Sequence, residues 1–524
     1  MKIKYNKYTR LSGIARLSRM GRVSGVSLLA MALMILGPGC KKKFLQGDPI
    51  GEELQSTYYS SPDQAFAGLV AVYHDLNIET SSVGDGSYSN KLGPLNAAGD
   101  ECYAGGGSST DMNTWQAWNT NTMSAAVDPG WDFWDIDYQG IYRANLMLQV
   151  LGKGTVPGLS SDLQNRYTAE CRFLRAYYYF ELVRLFRNIP LILEPLTPAD
   201  QYNQVQVADT AIYAQIEKDL NAAIPVLPPV VVPAELGRAT QGAAEALLGK
   251  VILYENNDSR MQEAASWLEK VNSSGLYSLM PNFADIFSPS NKFNSESIWE
   301  IEHTSTQDAG YGNWGNNQGN VYVAMVGPRS YNGPLYWGQG WSFNPIIPAF
   351  VDFIKNDPRY PATVANIDSI VNASGGSVSY VQGYANTGFF IQKYAPLNQW
   401  ANNTAGDAHL NFPNDYIEIR LADTYLMEAE ALVRGGGDQS LAQSYLDKVR
   451  ARVGLPSVTA SLDNIYNERR LELATEGHRW YDLVRTGQAA TALSFKGFKD
   501  GVNDKLPIPL AELNNTKLQQ NKGY

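Results

Sequence analysis

One stretch near the C-terminus, residues 465–487, holds the densest set of ionisable groups in the chain. It reads Ile-Tyr-Asn-Glu-Arg-Arg-Leu-Glu-Leu-Ala-Thr-Glu-Gly-His-Arg-Trp-Tyr-Asp-Leu-Val-Arg-Thr-Gly. Glu468, Glu472 and Glu476 recur every fourth residue, which puts three carboxylates on one face of a helix with Arg469 and Arg479 in reach of their flanks. Such a row could work as general acid and base, or it could be a set of ion pairs locking a helix into a larger body. The pattern predicts one helix, with Ser461 as N-cap and Gly487 as the left-handed residue that ends it.

Other catalytic signatures are sparse. The chain has four His, at 74, 303, 409 and 478, and no His-Glu-x-x-His, Gly-x-Ser-x-Gly or P-loop. His478 reads as a structural imidazole. A pair of carboxylates for glycoside hydrolysis is defined by distance in space, so the sequence leaves that alternative open.

Aromatic residues in polar loops form the second chemical signal. Residues 77–128 are rich in Gly, Ser, Asn and Thr and read as loop, with Asp100, Trp115 and Trp118 embedded. Residues 282–414 form a larger insertion with few strands, 297–302 among them. Within it Tyr311, Trp314, Tyr322, Tyr331, Tyr336, Trp337 and Trp341 lie close together. Long loops that keep aromatics are usually functional.

Helices must carry these loops. Ser61-Pro-Asp-Gln64 and Ser161-Asp-Leu-Gln164 are capping boxes, opening helices that run to about residues 76 and 186. Further helices are expected at 130–151 and 209–224, with an extended segment at 188–193. Two helical hairpins follow, 240–254 with 259–271 and 416–434 with 438–452. Their second helices match as Ala264-Ala-Ser-Trp-Leu-Glu-Lys-Val271 and Ala442-Gln-Ser-Tyr-Leu-Asp-Lys-Val449, the sign of tetratricopeptide-like units dispersed around insertions. The expected fold is mainly α: a tetratricopeptide-like helical hairpin scaffold with a loop-rich, partly β ligand-binding insertion.

The net charge is −10, and residues 1–39 hold seven Lys or Arg and no acid, so removing them leaves −17. An acidic body argues against nucleic-acid binding and against adhesion to an anionic membrane surface. The apolar run 23–36 behind those basic residues has the shape of a signal-peptide core, and Gly37-Pro-Gly-Cys40 follows it. Residues 1–39 are therefore expected to be a lipoprotein signal and Cys40 the lipidated first residue of the mature chain. Leu36 stands one place further from the Cys than the usual pattern has it. The other cysteines, Cys102 and Cys171, form no disulfide framework and no metal-ligand spacing, and both read as unpaired. No cofactor is expected.

In order and coverage, many short motifs of this chain resemble those of the SusD/RagB nutrient-uptake lipoproteins of the Bacteroidetes outer membrane. They begin at Cys40 with Phe44-Leu45 and Asp48-Pro49, then Ile141-Tyr-Arg-Ala-Asn145 and Arg172-Phe-Leu-Arg-Ala-Tyr-Tyr-Tyr-Phe180. They continue with Asp357-Pro-Arg359, Gln392-Lys-Tyr394, Ile419-Arg-Leu-Ala-Asp423 and Glu428-Ala-Glu430. The charged stretch at 468–485, Leu506-Pro-Ile-Pro509 and Asn521-Lys-Gly-Tyr524 complete the set.

The resemblance implies a surface lipoprotein that captures a glycan and acts as lid and delivery subunit for a SusC-like TonB-dependent transporter. Localisation would be the outer membrane, held by the N-terminal lipid and facing the exterior. Lys41-Lys-Lys43 stands where acidic residues often follow the Cys in exported relatives. The implied layout is a tether at 40–60, an N-terminal helical region at 61–281 and a C-terminal region at 282–524 that contains the insertion. Sugars are held by flat aromatic faces and by amide, carboxylate or guanidinium groups. That chemistry selects Asp100, Trp115, Trp118 and Asn119 in the first region, and Tyr311, Trp314, Tyr336, Trp337 and Trp341 in the second. Asp100 could equally cap loop amides, and each aromatic could simply anchor its loop. The competing functions are a glycoside hydrolase and a tetratricopeptide adaptor that binds only protein. On this reading the charged helix is a structural network.

Overall fold

Ser61 starts the scaffold as its pattern predicts. In α1 (Pro62–His74) its Oγ accepts the Gln64 N–H at 3.3 Å, and Pro62 fills the first helical position. The computed structural model describes residues 59–77, 90–127, 131–154, 156–306, 308–310, 318–402, 406–514 and 516–524. The expected signal, Cys40, Tyr311 and Trp314 all lie outside those residues.

The scaffold continues through α2 (Leu92–Ala98), α3 (Asn113–Thr120), α4 (Ile136–Gly152) and α5 (Ser161–Phe186). Residues 77–128 are thus not loop throughout. Two short helices form there because Leu92, Leu95, Trp115 and Trp118 find core partners that local composition does not reveal. The second capping box is displaced by one position: Ser160, not Ser161, caps α5 by accepting from Leu163 N. Almost every residue of α5 from Ala169 onward is buried, so it has no solvent stripe and acts as the central post.

Next come α6 (Asp209–Ala223), α7 (Gln241–Tyr254) and α8 (Met261–Asn272), then, after the insertion, α9 (Leu421–Arg434) and α10 (Gln439–Arg452). Each packs on the next, α5 on α6 and so on through α10, so the array is continuous in space although the insertion interrupts it in sequence. Close approach of α7 and α8 depends on Gly249, where a Cβ would lie 2.6 Å from Leu268 Cγ. Residues 416–420 are not helix. They form β2 (Tyr416–Arg420), antiparallel to β1 (Ser297–Ile301), and Glu300 pairs with Ile417. The alternation of Tyr416-Ile-Glu-Ile-Arg420 is a strand period that the adjoining helical run conceals. This two-stranded neck carries the insertion, and Trp299 fixes it edge-on against Phe173 at 4.9 Å and Tyr177 at 5.0 Å on α5.

Tyr59–Tyr524 is one unit, and its main hydrophobic cluster spans Ala65 to Ile508 without dividing near residue 281. A second cluster lies under the insertion and includes Trp115, Tyr322, Trp337, Phe343 and Phe412. Cys102 and Cys171 are free and buried.

The charged stretch differs from its expected form. It is two helices, α11 (Leu462–Glu472) and α12 (Arg479–Arg485), separated by a turn in which Thr475 has φ 66° and Gly477 φ 78°. Its charges pair mostly with other elements rather than along one helix. Glu472, fully buried, receives Arg420 Nη1 at 2.6 Å, Arg359 Nη1 at 2.8 Å and also Arg452. Glu476 receives Lys393 at 2.6 Å and Arg420 at 2.8 Å. Arg485 binds Glu430 on α9, and Arg469 binds Asp423 at 2.6 Å. Burial alone would raise the carboxyl of Glu472, but the three guanidiniums hold it well below the usual range. His478 is buried, and that burial with the Lys250 charge lowers it to about 3, so it stays neutral.

Candidate ligand face around Trp341

Residues 102–106 enter the insertion and pair with its segments. Residues 102–106 run antiparallel to 342–346, through Gly106 N to Ser342 O at 2.8 Å and Asn344 N to Ala104 O at 2.9 Å. Tyr384 N then reaches Gly106 O at 2.8 Å. Gly106 has φ 90°, and a Cβ on it would lie 2.6 Å from Phe343 Cε1, so this crossing requires glycine. On the other side Trp341 N bonds Ala324 O at 3.0 Å and Phe343 N bonds Met325 O at 2.8 Å. The backbone of Trp341 is thereby held from both flanks.

Its indole is only half-buried. The His409 ring lies 5.4 Å away at 31°, and Trp337 meets the same imidazole edge-on at 4.5 Å. Burial lowers the His409 pKa, with Asp407 opposing. Beside Trp341, Arg329 Nη2 donates to the Trp341 carbonyl at 2.8 Å and lies 3.8 Å from Asp111 Oδ2. Both charged side chains are about one-third exposed, at 33% and 38%. Arg329 Nε has no hydrogen-bond partner. Asp111 is oriented by the Gly107 N–H at 2.7 Å. The partly exposed Trp341 thus has a guanidinium on its backbone carbonyl and, beyond that guanidinium, a carboxylate, the kinds of group that a sugar's C–H face and hydroxyls require. Among the described residues no group of three or more His, Cys, Asp or Glu is arranged to hold a metal.

The other expected contacts are placed differently. Trp115 is 0% exposed and packs edge-on against Phe343 at 5.1 Å. Trp118 is 1% exposed between Phe133 and Trp480. Neither offers a free face, because the helix that carries them is amphipathic toward the core. Asn119 is half-buried on that helix. Trp337 is buried against His409 and Phe412, and supports the patch from beneath. Tyr336 is buried, donates to Gln392 Oε1 at 2.8 Å and meets Tyr331 edge-on; burial pushes its phenol up to about 12. Asp100 is an ion-pair residue, accepting from Arg479 Nε at 2.7 Å with Arg470 at 3.0 Å. Burial works to raise its carboxyl, and the two arginines more than reverse that. Arg329, Asp111 and His409 escaped the sequence reading. No local motif marks them, since Arg329 and His409 meet Trp341, and Asp111 meets Arg329, only in the folded chain.

A helical-hairpin array that carries a loop-rich, partly β insertion defines a protein of the tetratricopeptide-scaffold type. The chain belongs to the SusD family: the family profile matches residues 295–524, and a second profile, starch-binding associating with outer membrane, matches residues 68–253. A solved laminarin binding SusD-like protein is 46% identical, with 89% of this chain and all of that one covered at a TM-score of 0.83. Surface glycan-binding protein A from Bacteroides thetaiotaomicron, solved in complex with laminarihexaose, is 28% identical over 88% of this chain and 99% of its own, with a TM-score of 0.79. Among curated proteins, the starch-binding protein SusD of Bacteroides thetaiotaomicron is 26% identical over 425 residues, 70% of this chain and 74% of that protein.

Proposed function

We propose that this chain captures a neutral glucose oligomer of the laminarin class on the Trp341 face and delivers it, as a lid, to a SusC-like TonB-dependent transporter. The observation that carries the reading is the partly exposed Trp341, whose carbonyl accepts from Arg329, itself 3.8 Å from Asp111. The laminarin-binding relative at 46% identity and the laminarihexaose complex of a second relative support the choice of glycan. In this reading the protein is lipidated at Cys40, faces the cell exterior from the outer membrane and performs no chemistry on its ligand.

Titration with laminarihexaose tests it. Trp341→Ala should weaken binding at least about tenfold, the loss of one stacked ring face, with little change in melting temperature. Unchanged affinity would remove Trp341 from the site. Release of reducing ends from laminarin by the pure protein would instead favour a hydrolase. Co-purification with a large barrel protein from detergent extracts tests the lid role, and Cys40→Ser should release the protein from the membrane fraction.

A further inference from the structure

A second cavity lies on the scaffold, away from the insertion. It has a volume of about 340 Å³ and is formed between α4 with the two residues before it, the segment 190–204, and Glu512, Thr516 and Leu518 near the C-terminus. It shares no lining residue with the Trp341 face. That volume falls at the lower end of the range for small-molecule sites and suits one or two sugar rings.

Its walls have the composition of a carbohydrate site. Trp134 and Tyr138 stand 4.9 Å apart, and Tyr138 is fixed by donating to Pro190 O at 2.9 Å. One helical turn further along α4, Tyr142 lines the same cavity and is 45% exposed. Three amides, Gln139, Gln201 and Gln204, line it as well. Amides offer both donors and acceptors, which matches hydroxyl groups that are both. The lining holds the carboxylates Asp135 and Glu512 but no Lys, Arg or His. With no cation in the lining to pair with a uronate or a sulfate, a neutral sugar suits it better.

The geometry points to this cavity as a second, independent subsite for a short neutral oligosaccharide, with Tyr142 as its stacking face and Gln201 as a hydroxyl partner. Two separated subsites would raise the avidity for a polymer without tightening either one. The inference stands whether or not Trp341 binds glycan.

Saturation-transfer NMR on the intact protein tests it, with laminarihexaose as the probe. Trp341→Ala protein should still transfer saturation to the sugar. Adding Tyr142→Ala and Gln201→Ala should cut that transfer at least fivefold, with far-UV circular dichroism unchanged. A hexameric uronate should give no transfer in the Trp341→Ala protein. Three results would overturn the subsite: no laminarihexaose transfer in Trp341→Ala, transfer that survives the added substitutions, or transfer to the uronate. Wild-type transfer lost on Tyr142→Ala alone and kept in Trp341→Ala would instead overturn the Trp341 reading and leave this one standing.

Discussion

Arg479 donates from Nε to Asp100 Oδ1 at 2.7 Å and from Nη2 to Oδ2 at 3.1 Å, joining residues 379 positions apart. The pair ties the turn after α2 to the start of α12. It turns a residue selected for sugar recognition into part of the frame. Asp100→Ala should therefore lower unfolding free energy by about 3–5 kcal/mol, because Arg470 and Arg479 lose their shared counter-charge. Urea unfolding measures the loss. Laminarihexaose affinity at a temperature where the variant is folded should stay within twofold of wild type; a large drop there would return Asp100 to the ligand face.

Glu472 holds three guanidiniums, and its folded pKa lies well below the unfolded one. The stability it contributes is present above the unfolded carboxylate pKa and is lost as pH falls toward the depressed value. Asp482, lowered to about 2 by Arg469 and Arg485 against its burial, acts in the same direction. Wild type should lose stability below about pH 4, and Glu472→Gln should lose about 3 kcal/mol or more at pH 7 while flattening that acid limb. Melting temperatures between pH 2 and 7 decide it; parallel curves for the two proteins would count against the assignment.

Glu300 behaves oppositely. Burial pushes its carboxyl up to about 8, the Phe293 N–H opposes the shift and the Asp415 carboxylate adds to it. A raised folded pKa means the folded protein keeps a proton that the unfolded chain releases, so stability falls as pH rises from about 4.5 to 8. Glu300→Gln keeps an acceptor for Phe293 N and removes the charge. Its unfolding free energy should exceed that of wild type at pH 8.5 by an amount on the order of 3 kcal/mol, and the difference should vanish near pH 4.5. No pH dependence in that difference would contradict the buried-acid picture.

Gly93 lies under Trp115, and a Cβ at that position would sit 1.8 Å from the indole Cη2. Gly93→Ala should destabilise by about 1–3 kcal/mol through overpacking, and Trp115→Ala by about 3–5 kcal/mol through the cavity it leaves. Thermal unfolding of the two single variants and the double variant tests the contact. Strict additivity would show that the two side chains do not meet.

Much of the scaffold was legible locally. Capping by Ser61 and Ser461, the helical periods of α5 to α8 and the matched second helices at 264–271 and 442–449 are set by neighbours within a few residues. Position and partner were not. Trp115, Trp118 and Trp341 are the same residue type in similar polar contexts, yet two are core and one is partly exposed. Their burial depends on Phe343, Phe133 and Trp480 arriving from distant segments. The row Glu468, Glu472 and Glu476 announced ion pairing, since three carboxylates need counter-charges wherever they are buried. Which arginines would serve, and that the helix would break at Thr475 to reach Asp100, Arg359 and Arg420, was decided by the tertiary structure. By itself the sequence determined the local helices and the need to neutralise buried charge. Only packing between remote segments decided which aromatic faces stay open to a ligand, because exposure belongs to the assembled surface and not to any stretch of chain.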